Sequence, residues 1–192
     1  MIVVVGVPGS GKTFFARQFS DTFSAPFLML DELREFTKDD KAIYELWDYM
    51  FEKLARTKQT MLVEGFGATQ AERRELSAFA QSHGYQTLFV WVQTEPGTAL
   101  IRASKGIGKD KPKYPLTKEQ FKEAFRAFEP LVATEQYMVI SGKHTYASQA
   151  RNVLKKLAEP RAEQAKLDPN NVQRPKPAPV SSTPQRGRIT IN

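Results

Sequence analysis

Residues 2–15, IVVVGVPGSGKTFF, constrain the fold of this 192-residue chain more than any other stretch. A mostly β-branched apolar run from Ile2 to Val5 passes directly into a loop with glycines at positions 6, 9 and 11. Lys12, Thr13 and a helix-like segment follow at once. The spacing from Gly6 to Thr13 satisfies G-x-x-x-x-G-K-[ST], and it stands where that pattern needs to stand, after a strand and at the opening of a helix. Glycines let successive backbone N–H groups turn inward as a nest for an anion, and the helix N-terminus adds its positive end. The residues expected around a bound phosphate chain are Gly6, Pro8, Gly9, Ser10, Gly11, Lys12, Thr13 and Phe14. Lys12 would reach the β- and γ-phosphates, and the Thr13 hydroxyl would ligate Mg²⁺. The alternative is a glycine turn that binds nothing.

The rest of the chain alternates between strand-like and helix-like segments. MIVVV (1–5), PFLML (26–30), TMLVE (60–64), QTLFVWV (86–92) and QYMVI (136–140) are short and apolar throughout, as strands covered on both faces are. Between them, Ile43, Leu46, Trp47, Met50, Phe51 and Leu54 form one apolar stripe at helical spacing. TQAE (69–72) reads as a capping box, with Gly84 as the stop of its helix. LTKEQF (116–121) places Thr117 as a cap and Leu116 against Phe121 as a staple, with Pro130 ending the helix. A last helix over 146–158 carries Ala150, Val153, Leu154 and Leu157 on one side. Five strands alternating with helices predict an α/β fold: a doubly wound, five-stranded parallel sheet with helices on both faces. Ligands in such sheets bind beyond the carboxyl ends of the strands.

The strand ends carry the chemistry. In LMLDELREF, Asp31 ends the second strand and Arg34 follows one helical turn later. A carboxylate beside the cradle can accept the proton of an attacking hydroxyl, and an arginine nearby can hold an anionic group on the acceptor. The competing reading is a helix cap with a surface ion partner. In LVEGFGAT, Glu64 ends the third strand, where an acidic residue near Mg²⁺ or substrate is expected, against a buried structural carboxylate. IRASKGIGKDKPKYP (101–115) combines Arg102, Lys105, Lys109, Lys111 and Lys113 with Gly106, Gly108 and two prolines. That makeup suits a lid over about 103–115 whose cations neutralise a transferring phosphoryl group. A plain solvated loop is the alternative. Arg102 is the best single candidate for a phosphate-touching arginine. SGKHTY (141–146) stands where such folds pass the base of a nucleotide.

Composition sets outer bounds. No apolar run approaches the roughly 20 residues that cross a bilayer, so no membrane association is expected. The N-terminal run lacks a basic lead and reads as a strand, not a signal peptide. There is no cysteine, which fits a cytoplasmic setting. Residues 160–192 hold six of the 28 Lys+Arg, two acidic residues and six of the twelve prolines. The segment 159–192 therefore reads as a disordered, basic, proline-rich tail. It is either a solvated terminus or a docking element for a protein or anionic partner. Neither N-K-x-D nor D-x-x-G, the marks of a switch GTPase, occurs in the chain.

With these residues in hand, the chain over 1–158 resembles the P-loop kinases of the AAA-33 type. That group includes polynucleotide 5′-kinases, zeta-toxin kinases and chloramphenicol phosphotransferase-like enzymes. GVPGSGKT is similar to their Walker A segment, and LDELR to the D-x-x-R of the polynucleotide kinase branch. The resemblance implies Asp31 as general base and Arg34 as the acceptor contact. LVEGFGAT is closer to the I-E-G-T of zeta-like kinases, which implies a place for Glu64 in the acceptor or metal site. IRASKG through PLTKEQFKEAFRAFEP resembles the family lid and the helix after it. Ser104 and Lys105 stand where family lids often carry a second arginine, and Glu64 where many members have Asp.

These readings converge on a small ATP- and Mg²⁺-dependent kinase moving a γ-phosphoryl group to a hydroxyl. Lys12, Asp31, Arg34 and Arg102 would carry the transfer, with Thr13 and Glu64 at the metal. The leading acceptor is the 5′-hydroxyl of a nucleic acid, which the basic lid and tail would suit. A small molecule (nucleotide sugar, nucleoside or antibiotic) stands beside it. The rival from another class is a nucleotide-binding switch or scaffold that works through its basic tail and transfers nothing.

Overall fold

The computed structural model describes residues 1–106, 112 and 114–159. All but the first residue of the expected tail over 159–192, and the lid residues 107–111 and 113, lie outside the described residues. The elements are β1 (Ile2–Val5), α1 (Lys12–Phe23), β2 (Phe27–Met29), α2 (Leu30–Leu33), α3 (Asp40–Arg56) and β3 (Leu62–Glu64). They continue with α4 (Gln70–Ser82), β4 (Leu88–Gln93), α5 (Pro96–Lys105), α6 (Lys118–Ala127), β5 (Tyr137–Ser141) and α7 (Tyr146–Leu157). All five strands are parallel, in the order β2-β3-β1-β4-β5.

Unbroken apolar strands follow from burial on both faces. Val3, Val5, Val63 and Phe89 point into one core with Ile43, Trp47 and Phe51 of α3 and Leu76 and Ala80 of α4. Ile2, Val4, Leu62, Val90 and Val92 point the other way, onto Phe15 and Phe19 of α1 and Ala150 and Val153 of α7. Successive side chains of a strand alternate faces, so β1 needs apolar residues at every position. Helices thus cover both faces of the sheet, as the alternating pattern implied. A third, smaller cluster joins Ala99 and Ala103 of α5 to Phe121 of α6, with Leu116 packed beside them.

Local signals and outcome agree at most ends. Thr117 accepts from Gln120 N, and the Gln120 side chain accepts from Thr117 N, completing the expected capping box. At α4 only half of the expected box forms. Thr69 accepts from Glu72 N at 3.2 Å, but the Glu72 carboxylate turns to Gly67 N and Ala68 N, at 3.1 and 2.9 Å. Those two N–H groups belong to the loop after β3 and lack a sheet partner, so the carboxylate serves them instead. In α7, Ala150 and Val153 are buried as expected, whereas Leu154 and Leu157 are exposed and Gln149 is buried in their place. α7 packs on α1 and the edge strand β5, so only a narrow stripe of it meets the core. α5 continues to Lys105, so the first residues of the expected lid stretch are helical.

Arg73 of α4 is a buried arginine. Its Nε donates to Glu135 Oε1 at 2.5 Å, and its Nη2 to Glu135 Oε2 at 3.2 Å. Its Nη1 donates to the carbonyls of Gly67 at 3.1 Å and Glu129 at 3.0 Å. One guanidinium therefore ties the β3–α4 loop to the segment between α6 and β5. A second tie runs parallel to it, from Gln70 N to the Glu129 carboxylate at 2.7 Å. Removing one partner of a buried pair leaves the other charged and unpaired, which costs about 3–5 kcal/mol. Arg73→Ala should lower unfolding stability by that amount in urea titrations. An unchanged midpoint would show that water satisfies Glu135 and the loop carbonyls.

Candidate functional site

The carboxyl ends of β1, β3 and β4 place the glycine loop at the centre of the sheet. Gly9 has φ +74°, and a Cβ there would run into the carbonyl oxygen of Ala99 on α5. Only glycine lets the loop lie this close to α5. Thr94, just past the end of β4, donates its hydroxyl to the Ser10 carbonyl at 2.9 Å and braces the loop from the side. Lys12 and Thr13 open α1, whose N-terminus faces the loop. Phe15 goes into the core, whereas the Phe14 ring is exposed, so any part for Phe14 rests on its backbone.

Lys12 is half-buried, and its ammonium donates to the Val7 carbonyl at 3.0 Å, across the mouth of the loop. Burial lowers its pKa from the usual lysine value, and the charges of Glu64 and Asp31 work against that shift. The Thr13 hydroxyl donates to Glu64 Oε1 at 2.7 Å. Glu64 is 6% exposed, and its other oxygen, Oε2, has no partner among the described residues. Burial raises the Glu64 pKa above the ordinary carboxylate value, opposed by Lys12 and by the Thr13 hydrogen bond. Lys12, Thr13 and Glu64 thus form one compact group, drawn from the end of β3 and the start of α1.

Asp31 lies within α2, one residue beyond its start, so it is not the cap that the competing reading supposed. Its carboxylate is 68% exposed yet close enough to act electrostatically on both Lys12 and Glu64. Arg34 ends α2. Its Nε lies 3.9 Å from Asp31 Oδ1, and its Nη1 donates to Asp40 Oδ1, on α3, at 2.9 Å. Arg102 points back from α5 to the cradle. Its Nη1 donates to the Gly142 carbonyl at 3.1 Å and lies 3.8 Å from where a Cβ on Gly11 would stand.

The structure therefore brings Lys12, Thr13, Asp31, Glu64 and Arg102 around one loop, with Arg34 one step further out. Lys109, Lys111 and Lys113 lie outside the described residues. His144 is exposed beyond β5, with its N–H donating to Ser141. Sequence reasoning missed Thr94 and Asp40, and it named Gly142 only within the segment SGKHTY. Thr94 had a signal, a hydroxyl at the carboxyl end of a central strand, whereas Asp40 reads as one more charge at a helix start. Among the described residues, no helix is long and apolar enough to cross a membrane.

A family model described as an AAA domain, AAA-33, matches residues 1–131. No curated protein matches the sequence. Among solved structures, a gluconokinase from Sinorhizobium meliloti 1021 superposes with a TM-score of 0.61 at 18% identity, covering 86% of this chain and 94% of that one. A sugar kinase from Janibacter sp. HTCC2649 gives 0.60 at 16% identity over 81% of this chain and 92% of that one. A shikimate kinase from Aquifex aeolicus vf5 gives 0.52 at 18% identity over 81% and 95%. At such identities the likeness is one of fold, and that fold is the parallel sheet with a phosphate loop described above. The chain belongs to the AAA-33 family and has the fold of small P-loop kinases.

Proposed function

We propose that the protein is an ATP-dependent kinase that transfers the γ-phosphoryl group to a hydroxyl acceptor. The observation that carries this reading is the convergence of Lys12, the Thr13–Glu64 pair, Asp31 and Arg102 on one glycine loop. The matching regions of small-molecule kinases support it at the level of fold. We assign the kinase domain to residues 1–158, with its lid over about 103–115.

The roles follow from position and chemistry. The loop N–H groups and Lys12 hold the phosphate chain, and Lys12 leaves the Val7 carbonyl to do so. Asp31 accepts the proton of the acceptor hydroxyl as its oxygen bonds to the γ-phosphorus. The bond from that phosphorus to the bridging oxygen breaks, and ADP departs with the bridging electrons. Arg102 neutralises charge gathering on the transferred group. Thr13 and Glu64 fit a hard cation that takes oxygen ligands, because Glu64 Oε2 is buried and lacks a partner among the described residues. Bound there, Mg²⁺ would offset the negative charge of the β- and γ-phosphates.

The acceptor is the finer question. A nucleic acid 5′-hydroxyl is supported by the basic balance of the chain, net +7, but many of those cations lie outside the described residues. A small-molecule acceptor is supported by Arg34, which is already engaged by two carboxylates. We favour the small molecule. A nucleotide-binding switch without transfer chemistry would have no use for an exposed carboxylate beside Lys12.

Two expectations test the roles. Asp31→Asn should reduce acceptor phosphorylation at least about a hundredfold. Because the side chain is exposed, stability should stay within about 0.5 kcal/mol. Retained turnover in a γ-³²P-ATP transfer assay would remove Asp31 as the base. Protons and a metal compete for the same Glu64 oxygens. The carboxyl is held above its ordinary range, and protonation weakens the metal site, so Mg²⁺-dependent ATP affinity should rise with pH through that shifted range. Calorimetric titrations from about pH 5 to pH 8 should record this rise, flattened in Glu64→Gln. An identical slope in that variant would place the metal elsewhere.

A further inference from the structure

The acceptor side of the cradle carries an aromatic corner that the transfer chemistry does not use. Tyr44 stands one helical turn after Asp40 on α3 and is 49% exposed. Its ring centroid lies 6.2 Å from that of Phe66, with the planes 52° apart. Phe66 is backed in turn by Trp47, at 4.4 Å between centroids. Gly65 links this corner to the catalytic side, since a Cβ there would lie 2.5 Å from Leu30 Cβ, immediately before Asp31. A circuit of neighbours thus runs from Asp31 to Arg34 and Asp40 by ion pairs, to Tyr44 one turn along α3, to Phe66 by ring contact, and through Gly65 back to Leu30.

Resting on the kinase reading above, we propose that this circuit is the acceptor subsite. We infer that it takes an alcohol with a planar ring that is uncharged or cationic. Two non-parallel aromatic faces make a corner in which a ring can stack on one and meet the edge of the other. The charge argument narrows the class. Arg34 contributes one positive charge to the rim, and Asp31 and Asp40 contribute two negative ones. An anionic acceptor would have to displace Asp40 from Arg34 and then sit beside two carboxylates. A ring-bearing alcohol without negative charge meets no such opposition, and its hydroxyl can reach Asp31. A polyanion is disfavoured for the same reason.

The test measures acceptor-stimulated ADP release for three sets of compounds. Adenosine, cytidine and phenylalaninol represent ring-bearing alcohols without negative charge. Glucose and glycerol lack an aromatic ring. Gluconate, shikimate and a 5′-hydroxyl oligodeoxynucleotide are anionic. The proposal expects kcat/KM for at least one of the first set to exceed every other compound by about tenfold or more. Tyr44→Ala should raise KM for that compound about fivefold or more, and Tyr44→Phe should restore it, because the ring face is retained. Asp40→Asn should narrow the gap for gluconate and shikimate.

A preference for an anionic or ring-free acceptor overturns the inference. So does a Tyr44→Ala variant whose KM is unchanged, or an absence of stimulation by every ring compound. The kinase reading is scored separately. If Lys12-dependent ADP release occurs while the ring compounds fail, only the subsite is wrong. If ATP is neither bound nor turned over, the kinase reading fails with it.

Discussion

The charge of Lys12, partly withdrawn from water, is the constraint on which the rest of the site depends. An ammonium taken out of water is costly unless opposite charge lies near, and Glu64 supplies it, with Asp31 adding to it from further away. The balance is imperfect by design of the fold. Burial still depresses the lysine and raises the glutamate, so each carries its charge at a penalty. A phosphate chain and its cation would relieve both penalties at once. On the proposed kinase reading, that relief would appear as binding affinity.

This arrangement depends on strand register. Glu64 stands opposite Val4 of β1 and Met29 of β2 in the parallel ladder. The residues that follow those strands, the glycine loop and Asp31, therefore meet at the same level of the sheet. A slip of one residue in β3 would turn Glu64 to the opposite face and bring an apolar side chain to Thr13. The loop after β3 is held against such movement by Glu72 and Arg73, the latter anchored on Glu135. The same anchor joins the loop after β3 to the segment leaving α6, so both are held by one support.

Much of this was legible before any coordinates. The phosphate loop declares itself because its requirement is local: glycines, a lysine and a hydroxyl within eight residues. The alternation of strands with helices, the Thr117 cap and the Leu116–Phe121 staple are likewise short-range statements, and they hold. Arg73 shows where local reading weakens. It and Arg74 are neighbours of one type, but only Arg73 falls on the helical stripe of Leu76 and Ala80 and is buried. The period held that clue, whereas nothing nearby in sequence named Glu135 as its partner. Glu72 is a similar case, because its orphan donors belong to the preceding loop and not to the helix that it begins.

By itself, then, the sequence determined what is set within a turn or two of chain: a strand, an anion nest, helix caps, and a two-sided apolar pattern that only a covered parallel sheet satisfies. The tertiary structure decided which of the distant groups meet. Thr13 and Glu64 are 51 residues apart, and Arg73 and Glu135 are 62 apart. Arg34 was expected as a free cation for the acceptor, yet folding delivers Asp40 to it. Such encounters are fixed by register and by the path of crossover helices, which sum contributions from the whole core. No window of sequence contains them.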